Sequence, residues 1–301
     1  MLSIIWNITN HCPWNCPFCV IDAGIDCQRA ELTYSEKLTV IEHLRGIDCR
    51  VDLSGGEVMF NRKEHLPLIA YLSCVIGRER LGISCSGSYI GDSEAVFLSR
   101  YVANVEMTMD AHPEWDFPHR PRGYHVTAGK AADFLTAEGI RVGMQTVVTR
   151  DHMLNPKLFD DLHGWLCEHR ISEWSLLRYF PSGRGVNYPE LALSDAENLA
   201  LVMRARRLCS RTNSPSLDVH YLMPGTEKDN HCRCVRKSIG ILPNGDVTSC
   251  FWGLDGSGDI KEKRFYLGNL LEAPLYRILR GINAIYWNGY FGGCPLETNG
   301  D

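Results

Sequence analysis

The amino-acid sequence predicts an α/β protein, with a partial, TIM-like (β/α)6 barrel followed by a smaller cysteine-rich domain. Short apolar runs alternate with amphipathic helical patterns over the first two thirds of the chain, which is typical of parallel strands joined by helical crossovers. The alternation stops near residue 210, where proline, glycine and cysteine become frequent. We therefore assign residues 1–208 to the barrel and residues 209–301 to the second domain.

Each predicted element rests on a local pattern. Six apolar runs of strand length lie at 3–8, 50–53, 81–84, 104–109, 142–148 and 174–179. Helical periodicity occurs between them, at 34–44, 65–76, 92–100, 125–138 and 158–169, and again from 195 to about 206. Thr33 and Glu36 have the spacing of a capping box at the start of the first helix. Six units indicate an open barrel rather than the closed eight-fold one.

The second domain contains a predicted β-hairpin. Its strands are expected at 239–242 and 247–250, and the turn Pro-Asn-Gly-Asp at 243–246 joins them. Asparagine and glycine accept the backbone angles that tight turns need, so this signal has a physical basis.

Composition excludes several classes of function. The chain has 301 residues and a net charge of −5, with no basic stripe, so we expect no nucleic-acid partner. Its start lacks the basic residues of a signal peptide, and no apolar run approaches the length of a membrane span, so we expect a cytoplasmic protein without membrane association. Thirteen cysteines, an odd number, favour metal or iron–sulfur ligation over disulfides.

The first cysteine group follows the first predicted strand directly. Cys12, Cys16 and Cys19 lie in the segment Asn-His-Cys-Pro-Trp-Asn-Cys-Pro-Phe-Cys at 10–19. Three thiolates in one short loop can hold a cubic iron–sulfur cluster and leave one iron open to a small chelating molecule. A structural zinc ion would need a fourth ligand, and His11 is a poor one because it is adjacent to Cys12.

This loop resembles the CxxxCxxC signature of the radical S-adenosylmethionine (SAM) superfamily. The resemblance implies a four-iron four-sulfur (4Fe-4S) cluster on the three cysteines, SAM as cofactor, and contact between Phe18 and its adenine. Ser54, Gly55, Gly56 and Glu57 follow the second strand and resemble the family's GGE motif. There the glycine backbone approaches the cofactor closely and the carboxylate pairs with its ammonium group.

Further cofactor-binding candidates follow the third and fourth strands. Ser84 and Ser86 lie where the family often has a Thr-Asn-Gly stretch, and Thr108 begins a stretch similar to the S-x-D pattern of peptide-maturing members. In that branch an arginine about a dozen residues later holds the cofactor carboxylate. Arg120 and Arg122 are both in range, and we prefer Arg122 because a glycine follows it.

Two candidates come from the last strands of the predicted barrel. Gln145 lies on the fifth strand and can face the pocket. Arg178 begins a segment, 177–185, whose end resembles the family's PxGRG turn, and it is placed to reach the cofactor or the substrate. Arg184, within that turn, is expected to pin it.

The second cysteine group resembles the twitch and SPASM domains that hold auxiliary clusters. Cys232, Cys234, Cys250 and Cys294 suit one auxiliary 4Fe-4S cluster rather than the two of the seven-cysteine pattern. A closed four-thiolate zinc site is the alternative. The family pattern requires only the Cys234-like position before the hairpin. Cys232 is therefore either the fourth ligand or a catalytic residue that donates a hydrogen atom to a substrate radical.

The resemblance implies reductive cleavage of SAM to a 5′-deoxyadenosyl radical, which abstracts a hydrogen atom from a substrate carbon. An electron donor such as flavodoxin or ferredoxin is the implied protein partner. We expect first a radical SAM oxidoreductase or epimerase that acts on a small polar metabolite: a sugar, a cyclitol or an aminoglycoside-like molecule. The short segment before the first strand favours this function, since it leaves no room for a leader-binding domain.

Two alternatives stay open. A peptide-modifying enzyme that crosslinks or epimerises its substrate is favoured by the S-x-D-like strand end and the PxGRG turn. A zinc-binding interaction module is the non-enzyme alternative, but it does not account for the Gly-Gly-Glu match.

Overall fold

The computed structural model describes residues 1–212, 214–220, 223 and 231–296. Within these residues the strands are β1 (Leu2–Asn7), β2 (Cys49–Ser54), β3 (Leu81–Cys85), β4 (Asn104–Thr108), β5 (Arg141–Val148), β6 (Glu173–Arg178), β7 (Ser216–Val219), β8 (Ser238–Ile241), β9 (Asp246–Thr248) and β10 (Tyr266–Asn269). They form a single sheet in the order β10-β9-β8-β1-β2-β3-β4-β5-β6-β7. The pairs from β1 to β7 are all parallel, which confirms the predicted α/β partial barrel.

Helices connect the parallel strands. In the described part of the chain they are α1 (Tyr34–Leu44), α2 (Arg62–Ile76), α3 (Asp92–Tyr101), α4 (Tyr124–Ala137), α5 (Arg150–Leu154), α6 (Lys157–Glu168), α7 (Asp195–Thr212), α8 (Leu275–Ile278) and α9 (Ile282–Asn288). The capping box predicted for α1 is present, because the Thr33 hydroxyl accepts from the Glu36 amide and the Glu36 carboxylate accepts from the Thr33 amide. None of the helices described is both long and apolar enough to cross a membrane.

The six predicted barrel strands agree with β1–β6 to within one residue at each end. A seventh parallel strand, β7, pairs with β6 and was not predicted, because Ser216–Val219 is short and half polar. The predicted boundary between residues 208 and 209 falls inside α7.

The two faces of the barrel sheet differ in polarity. One set of alternating side chains, which includes Ile4, Trp6 and Val51, is buried in the main apolar core. The opposite face is polar: a Cβ atom on Gly82 would meet Asp52 and Asn104 side-chain oxygens, so these residues share it. Strands alternate their side chains with a period of two, so the inner lumen of this barrel is lined by hydrophilic groups.

The predicted hairpin forms β8 and β9, and β8 joins the barrel sheet by parallel pairing with β1. The turn places Gly245 at a φ of +87°, where glycine is favoured. Cys234 precedes β8 and Cys250 follows β9. The antiparallel pair therefore brings both cysteines to the same end of the hairpin.

Candidate active site

The loop after β1 carries the first three cysteines. Cys12 and Cys16 are each 8% exposed, and Cys19 is half-buried with its Sγ accepting from the Ala23 amide at 3.4 Å. Burial raises the pKa of Cys12 to about 12, and the nearby Glu57, Cys16 and Cys19 charges act in the same direction. Three thiolates so placed need a compensating positive charge. A bound iron–sulfur cluster supplies it, so the donor set fits that group.

Two glycines of the GGE motif pack against this loop. A Cβ atom would lie 2.6 Å from the Thr9 carbonyl oxygen at Gly55 and 2.1 Å from the His11 carbonyl oxygen at Gly56. The Gly56 amide also donates to Thr9 O at 2.8 Å. These glycines therefore fix the cysteine loop against the end of β2, an approach that any larger residue would prevent.

Glu57 is completely buried between β2 and β3. Its carboxylate accepts from the Met59 amide at 3.0 Å, from the Ser86 amide at 2.9 Å and from the Ser86 hydroxyl. Burial raises the pKa of Glu57 above its ordinary value, although these donors oppose the shift. The Glu57 charge acts on Cys12, which places this carboxylate near the cysteine loop.

An aromatic side chain of the loop reaches the same network. Trp14 Nε1 donates to Ser86 Oγ at 3.1 Å and to Ser88 Oγ at 2.8 Å. Ser86 thereby connects the cysteine loop to Glu57.

Buried polar atoms without a protein partner lie beside the loop. Both side-chain atoms of Asn7, the last residue of β1, and Oδ1 of Asn10 have no hydrogen-bond partner in the described part of the chain. Because such atoms are costly to bury alone, they fit a site completed by a polar ligand.

Arg120, rather than Arg122, lies at the site. The Arg120 side chain is 8% exposed. Its Nε pairs with Asp110 Oδ2 at 2.5 Å, and its guanidinium lies over the Phe18 ring at 4.4 Å from the centroid. It also acts electrostatically on Cys16. Arg122 is exposed in the turn before α4, so Arg120 is the arginine that lies beside the cysteine loop, and cofactor contact by either arginine stays a prediction.

Asp110 anchors this arginine. The carboxylate is fully buried; burial alone would raise its pKa, but the Arg120 guanidinium and the His125 ring hold the pKa below its ordinary value. Its second oxygen accepts from the Val147 amide at 2.9 Å, which ties the end of β4 to β5.

The PxGRG-like turn after β6 contacts the back of the cysteine loop. Gly183 has a φ of +54°, and a Cβ atom there would lie 2.2 Å from Val20 O and 2.4 Å from Cys19 O. Glycine is therefore required by conformation and by space.

Arg184 braces the loop with its whole guanidinium group. Nε donates to Cys16 O at 3.0 Å, Nη2 to Ala23 O at 2.9 Å, and Nη1 pairs with Asp22 Oδ1 at 2.9 Å. The sequence predicts that Arg184 stabilises its own turn. Its contacts in the structure are with the cysteine loop, which it therefore also stabilises.

The remaining candidates lie around the lumen. Ser54, Ser84 and Thr108 are half-buried at or near the carboxyl ends of β2, β3 and β4. Gln145 donates to Glu106, and Arg178 Nη2 lies 3.2 Å from Asp195 Oδ1. Cofactor contact by these five residues stays a prediction.

The second cysteine group converges at the end of the β8–β9 hairpin. Cys232, Cys234 and Cys250 are buried in one cluster with Phe265 and Trp287, and Cys294 is half-buried. The Cys232 amide donates to Gly292 O at 2.9 Å, which brings the Cys294 segment to the same place.

The thiols of this group interact directly. Hydrogen bonding to Cys234 lowers the pKa of Cys232 to about 7 and also lowers that of Cys250, while the pKa of Cys234 is raised. Sulfur donors that share protons in this way fit a thiolate-bound metal cluster. Among the described residues, no group of three or more His, Cys, Asp or Glu side chains forms a ready site for a metal ion.

Comparison with known proteins identifies the region of the second cysteine group. Residues 232–294 match the SPASM family model, an iron–sulfur cluster-binding domain. The fold is similar to anSMEcpe with bound AdoMet (TM-score 0.71, 13% identity, 95% of this chain and 83% of that chain). It is also similar to Streptococcus suis SuiB bound to S-adenosylmethionine, with a TM-score of 0.73 and 16% identity over 96% of this chain and 68% of that chain. Methylornithine synthase, PylB, has a TM-score of 0.55 and 15% identity over 75% of this chain and 73% of that chain. No curated protein matches significantly.

Residues 232–294 thus carry a SPASM domain, and the partial barrel has the fold of the SAM-bound structures to which it is similar. The resemblance of the second cysteine group to a SPASM domain and the predicted partial-barrel fold are confirmed. The matched domain is an iron–sulfur cluster-binding one, as expected for the auxiliary cluster, and the similar anSMEcpe and SuiB structures hold S-adenosylmethionine.

Sequence reasoning missed several residues of the site. Arg120 was the less favoured of two arginines, and Asp110 was noted only as part of a motif. Glu106, which accepts from Gln145 in the lumen, is not among the sequence candidates, although it lies two residues before Thr108 and therefore on the same face of β4. The period of two was the signal that could have found it.

Proposed function

We propose that this protein binds SAM at the carboxyl ends of β1–β3 and uses it to abstract a hydrogen atom from a substrate held in the barrel lumen. The observation that carries the proposal is the meeting of the three-cysteine loop with buried Glu57 and Ser86 at one edge of the sheet. The carboxyl edge of parallel strands is where barrels of this kind place their chemistry.

Each residue has a definite part in this proposal. Cys12, Cys16 and Cys19 hold the cluster, and Glu57 accepts the cofactor ammonium. Arg120 pairs with the cofactor carboxylate. Bound SAM and its cluster supply the one-electron cleavage that yields a 5′-deoxyadenosyl radical. The buried surroundings exclude water from the radical.

We propose a peptide as the substrate, with crosslinking or epimerisation as the reaction. Structures of anSMEcpe with bound Cp18Cys peptide and of SuiB bound to precursor peptide SuiA cover 95% and 96% of this chain, including the SPASM region. PylB, a methylornithine synthase, covers 75%. This coverage favours the peptide alternative over the small polar metabolite expected first.

A small polar metabolite is the second candidate substrate, with dehydrogenation or epimerisation as the reaction. The barrel lumen favours it, since charged side chains there line a small cavity. A radical SAM oxidoreductase or epimerase would have this kind of interior.

Anaerobic reconstitution with iron and sulfide tests the proposal. With a reductant such as dithionite or flavodoxin, the protein is expected to convert SAM to methionine and 5′-deoxyadenosine. Replacing Cys12, Cys16 and Cys19 together by alanine should abolish this reaction, and the matched control Cys74→Ala, at an exposed cysteine, should leave it intact. Absence of 5′-deoxyadenosine from a fully loaded wild-type protein would refute the function.

Substrate class is tested by transfer of label. Deuterated peptide and deuterated aminocyclitol are each incubated with the protein. The compound that transfers deuterium to 5′-deoxyadenosine identifies the substrate class. Transfer from the metabolite alone would overturn the peptide assignment.

A further inference from the structure

A cavity of about 280 Å³ lies in the barrel lumen, towards the amino-terminal ends of the strands. Its charged lining consists of Arg50, Asp52, Glu106, Arg141 and Glu173. The cysteine loop follows the opposite, carboxyl end of β1. The cavity therefore lies at the end of the barrel opposite to the proposed SAM site, and it opens to solvent there, because the Arg141 side chain is 61% exposed.

Two glycines keep this space open. A Cβ atom on Gly82 would lie 2.3 Å from Asp52 Oδ1, and one on Gly143 would lie 3.2 Å from Glu106 Cγ. Larger residues on β3 and β5 would displace the carboxylates, so the cavity depends on both positions.

The charges of the lining do not balance. Three carboxylates face two guanidinium groups, and both guanidinium groups are already paired: Arg50 with Asp52 at 3.2 Å and Arg141 with Glu173 at 2.6 Å. Arg50 also donates to Asn104 Oδ1 at 2.8 Å. With all five groups ionised, one unit of negative charge would be left over.

That charge belongs to Glu106. Its carboxylate accepts from two neutral amides, Asn104 Nδ2 at 3.1 Å and Gln145 Nε2, and within the described residues no cation lies at ion-pair distance from it. Burial and the Asp52 carboxylate raise the pKa of Glu106 to about 7. A buried carboxylate with this pKa is stabilised in its ionised form by an incoming cation.

The other groups facing Glu106 come from three strands. Arg50 and Asp52 lie on β2, Arg141 on β5 and Glu173 on β6. Asp52 and Glu173 raise the pKa of Glu106, and Arg50 opposes them weakly. The net field at Glu106 therefore favours a positive ligand.

We propose that this cavity binds a cationic group of the substrate, an ammonium or a guanidinium, with Glu106 as its counter-ion. The inference rests on the proposed function, because the same lumen then holds the substrate. Glu106 and Thr108 are two residues apart on β4, a rise of about 7 Å, so a substrate anchored at Glu106 extends towards the cysteine loop. A lysine or arginine side chain of a peptide, or an aminated cyclitol, has this chemistry.

The test uses matched probes and the reconstituted protein. Acetyl-Gly-Lys-Gly-amide is compared with its norleucine twin, and 2-deoxystreptamine with myo-inositol, by isothermal titration calorimetry. At least one charged probe is expected to bind about tenfold more tightly than its neutral twin. Binding should strengthen from about pH 6 to pH 8. Below pH 7 it should release protons, seen as a dependence of the heat on the buffer.

Two variants separate the role of Glu106 from general damage. Glu106→Gln keeps the shape and should lose the preference for charge together with the proton release. Gly143→Ala keeps the charge and should weaken binding by filling the cavity. Glu114→Gln, at an exposed glutamate, is the matched control and should behave as the wild type.

The outcomes are distinct. Equal binding of charged and neutral probes, or unchanged binding and proton release in Glu106→Gln, would overturn the cation site. A preference within the lysine–norleucine pair identifies a peptide as the source of the cation. A preference for 2-deoxystreptamine over myo-inositol identifies an aminated cyclitol. Substrate-free cleavage of SAM is measured in parallel. If the wild type cleaves SAM but does not prefer charged probes, only the cation site is refuted. If the wild type does not cleave SAM, the proposed function is refuted.

Discussion

Glu57 and Glu106 are both buried glutamates, but their surroundings differ. Glu57 accepts from the Met59 amide and from the amide and hydroxyl of Ser86. Glu106 accepts from two side-chain amides. Burial raises the pKa of both carboxyl groups. Each is therefore costly to ionise in the free protein, and a cationic ligand would stabilise it: the SAM ammonium at Glu57 and the substrate cation at Glu106.

Glu57→Gln is expected to weaken SAM binding by about 1.5–3 kcal/mol, the contribution of a charge-assisted hydrogen bond. The amide oxygen keeps the Ser86 donors, although the Met59 amide loses its acceptor. Ser86 is the residue that contacts Trp14 of the cysteine loop, so iron content should stay at the wild-type level. Anaerobic calorimetry measures the affinity, with the exposed Glu79→Gln as control. Undiminished affinity would contradict the ammonium-binding role.

Glu106 should make stability depend on pH. Its pKa is about 7 in the folded protein against 4.5 as its ordinary value, so between these values the folded state retains a proton that the unfolded state has lost. The free energy of unfolding therefore falls as pH rises through this window, by up to about 3 kcal/mol. Denaturant titrations at pH 5 and pH 8 should show a larger fall for the wild type than for Glu106→Gln. Equal falls would show that Glu106 is not protonated near neutrality.

At the scale of elements, two turns pack against different parts of the cysteine loop. After β2, the Gly56 amide donates to Thr9 O and the Glu57 amide donates to His11 O. The Gly183-Arg184 turn after β6 packs against the loop backbone. The loop has no regular secondary structure of its own over residues 11–16. Its shape therefore depends on strands that are distant in sequence.

Gly183→Ala should disrupt the loop, because the new Cβ would collide with Val20 O and Cys19 O. Gly139→Ala is a matched control: Gly139 also has a positive φ, +71°, but nothing lies within 4 Å of its Cβ position. In this control, alanine adds only the strain of a positive φ, which lowers the free energy of unfolding by about 1 kcal/mol. Iron content after reconstitution is expected to fall sharply only in Gly183→Ala. Equal iron content in both variants would show that the close approach is not needed.

At the scale of the whole molecule, the barrel and the SPASM region share one sheet. β8 pairs with β1 over four residues, from Ser3 with Ser238 to Trp6 with Ile241. The two cysteine groups are therefore held by neighbouring strands of one hydrogen-bonded framework.

The whole protein should hold about seven to eight irons after reconstitution, from two cubic clusters. Replacing Cys12, Cys16 and Cys19 together by alanine should remove about half of the iron. Cys250→Ala should remove the other part, with Cys167→Ala as control. About four irons in the unmodified protein would contradict the auxiliary cluster.

Cys232 has two possible roles that one variant separates. If it is the fourth ligand, Cys232→Ala loses iron as Cys250→Ala does. If it is a hydrogen-atom donor, iron is kept while deuterium from heavy water no longer enters the product. Loss of iron would exclude the donor role.

The sequence by itself determined the strand and helix order, the hairpin and the three-cysteine loop. These features depend on local patterns: side-chain period, turn residues and ligand spacing. Only the tertiary structure decided that Arg120 rather than Arg122 points to the loop, that β7 extends the barrel, and that β8 pairs with β1. It also placed Glu106 beside Asp52 in a cavity that Gly82 and Gly143 keep open. These outcomes depend on which distant segments meet in the folded sheet, and spacing along one chain does not contain that information.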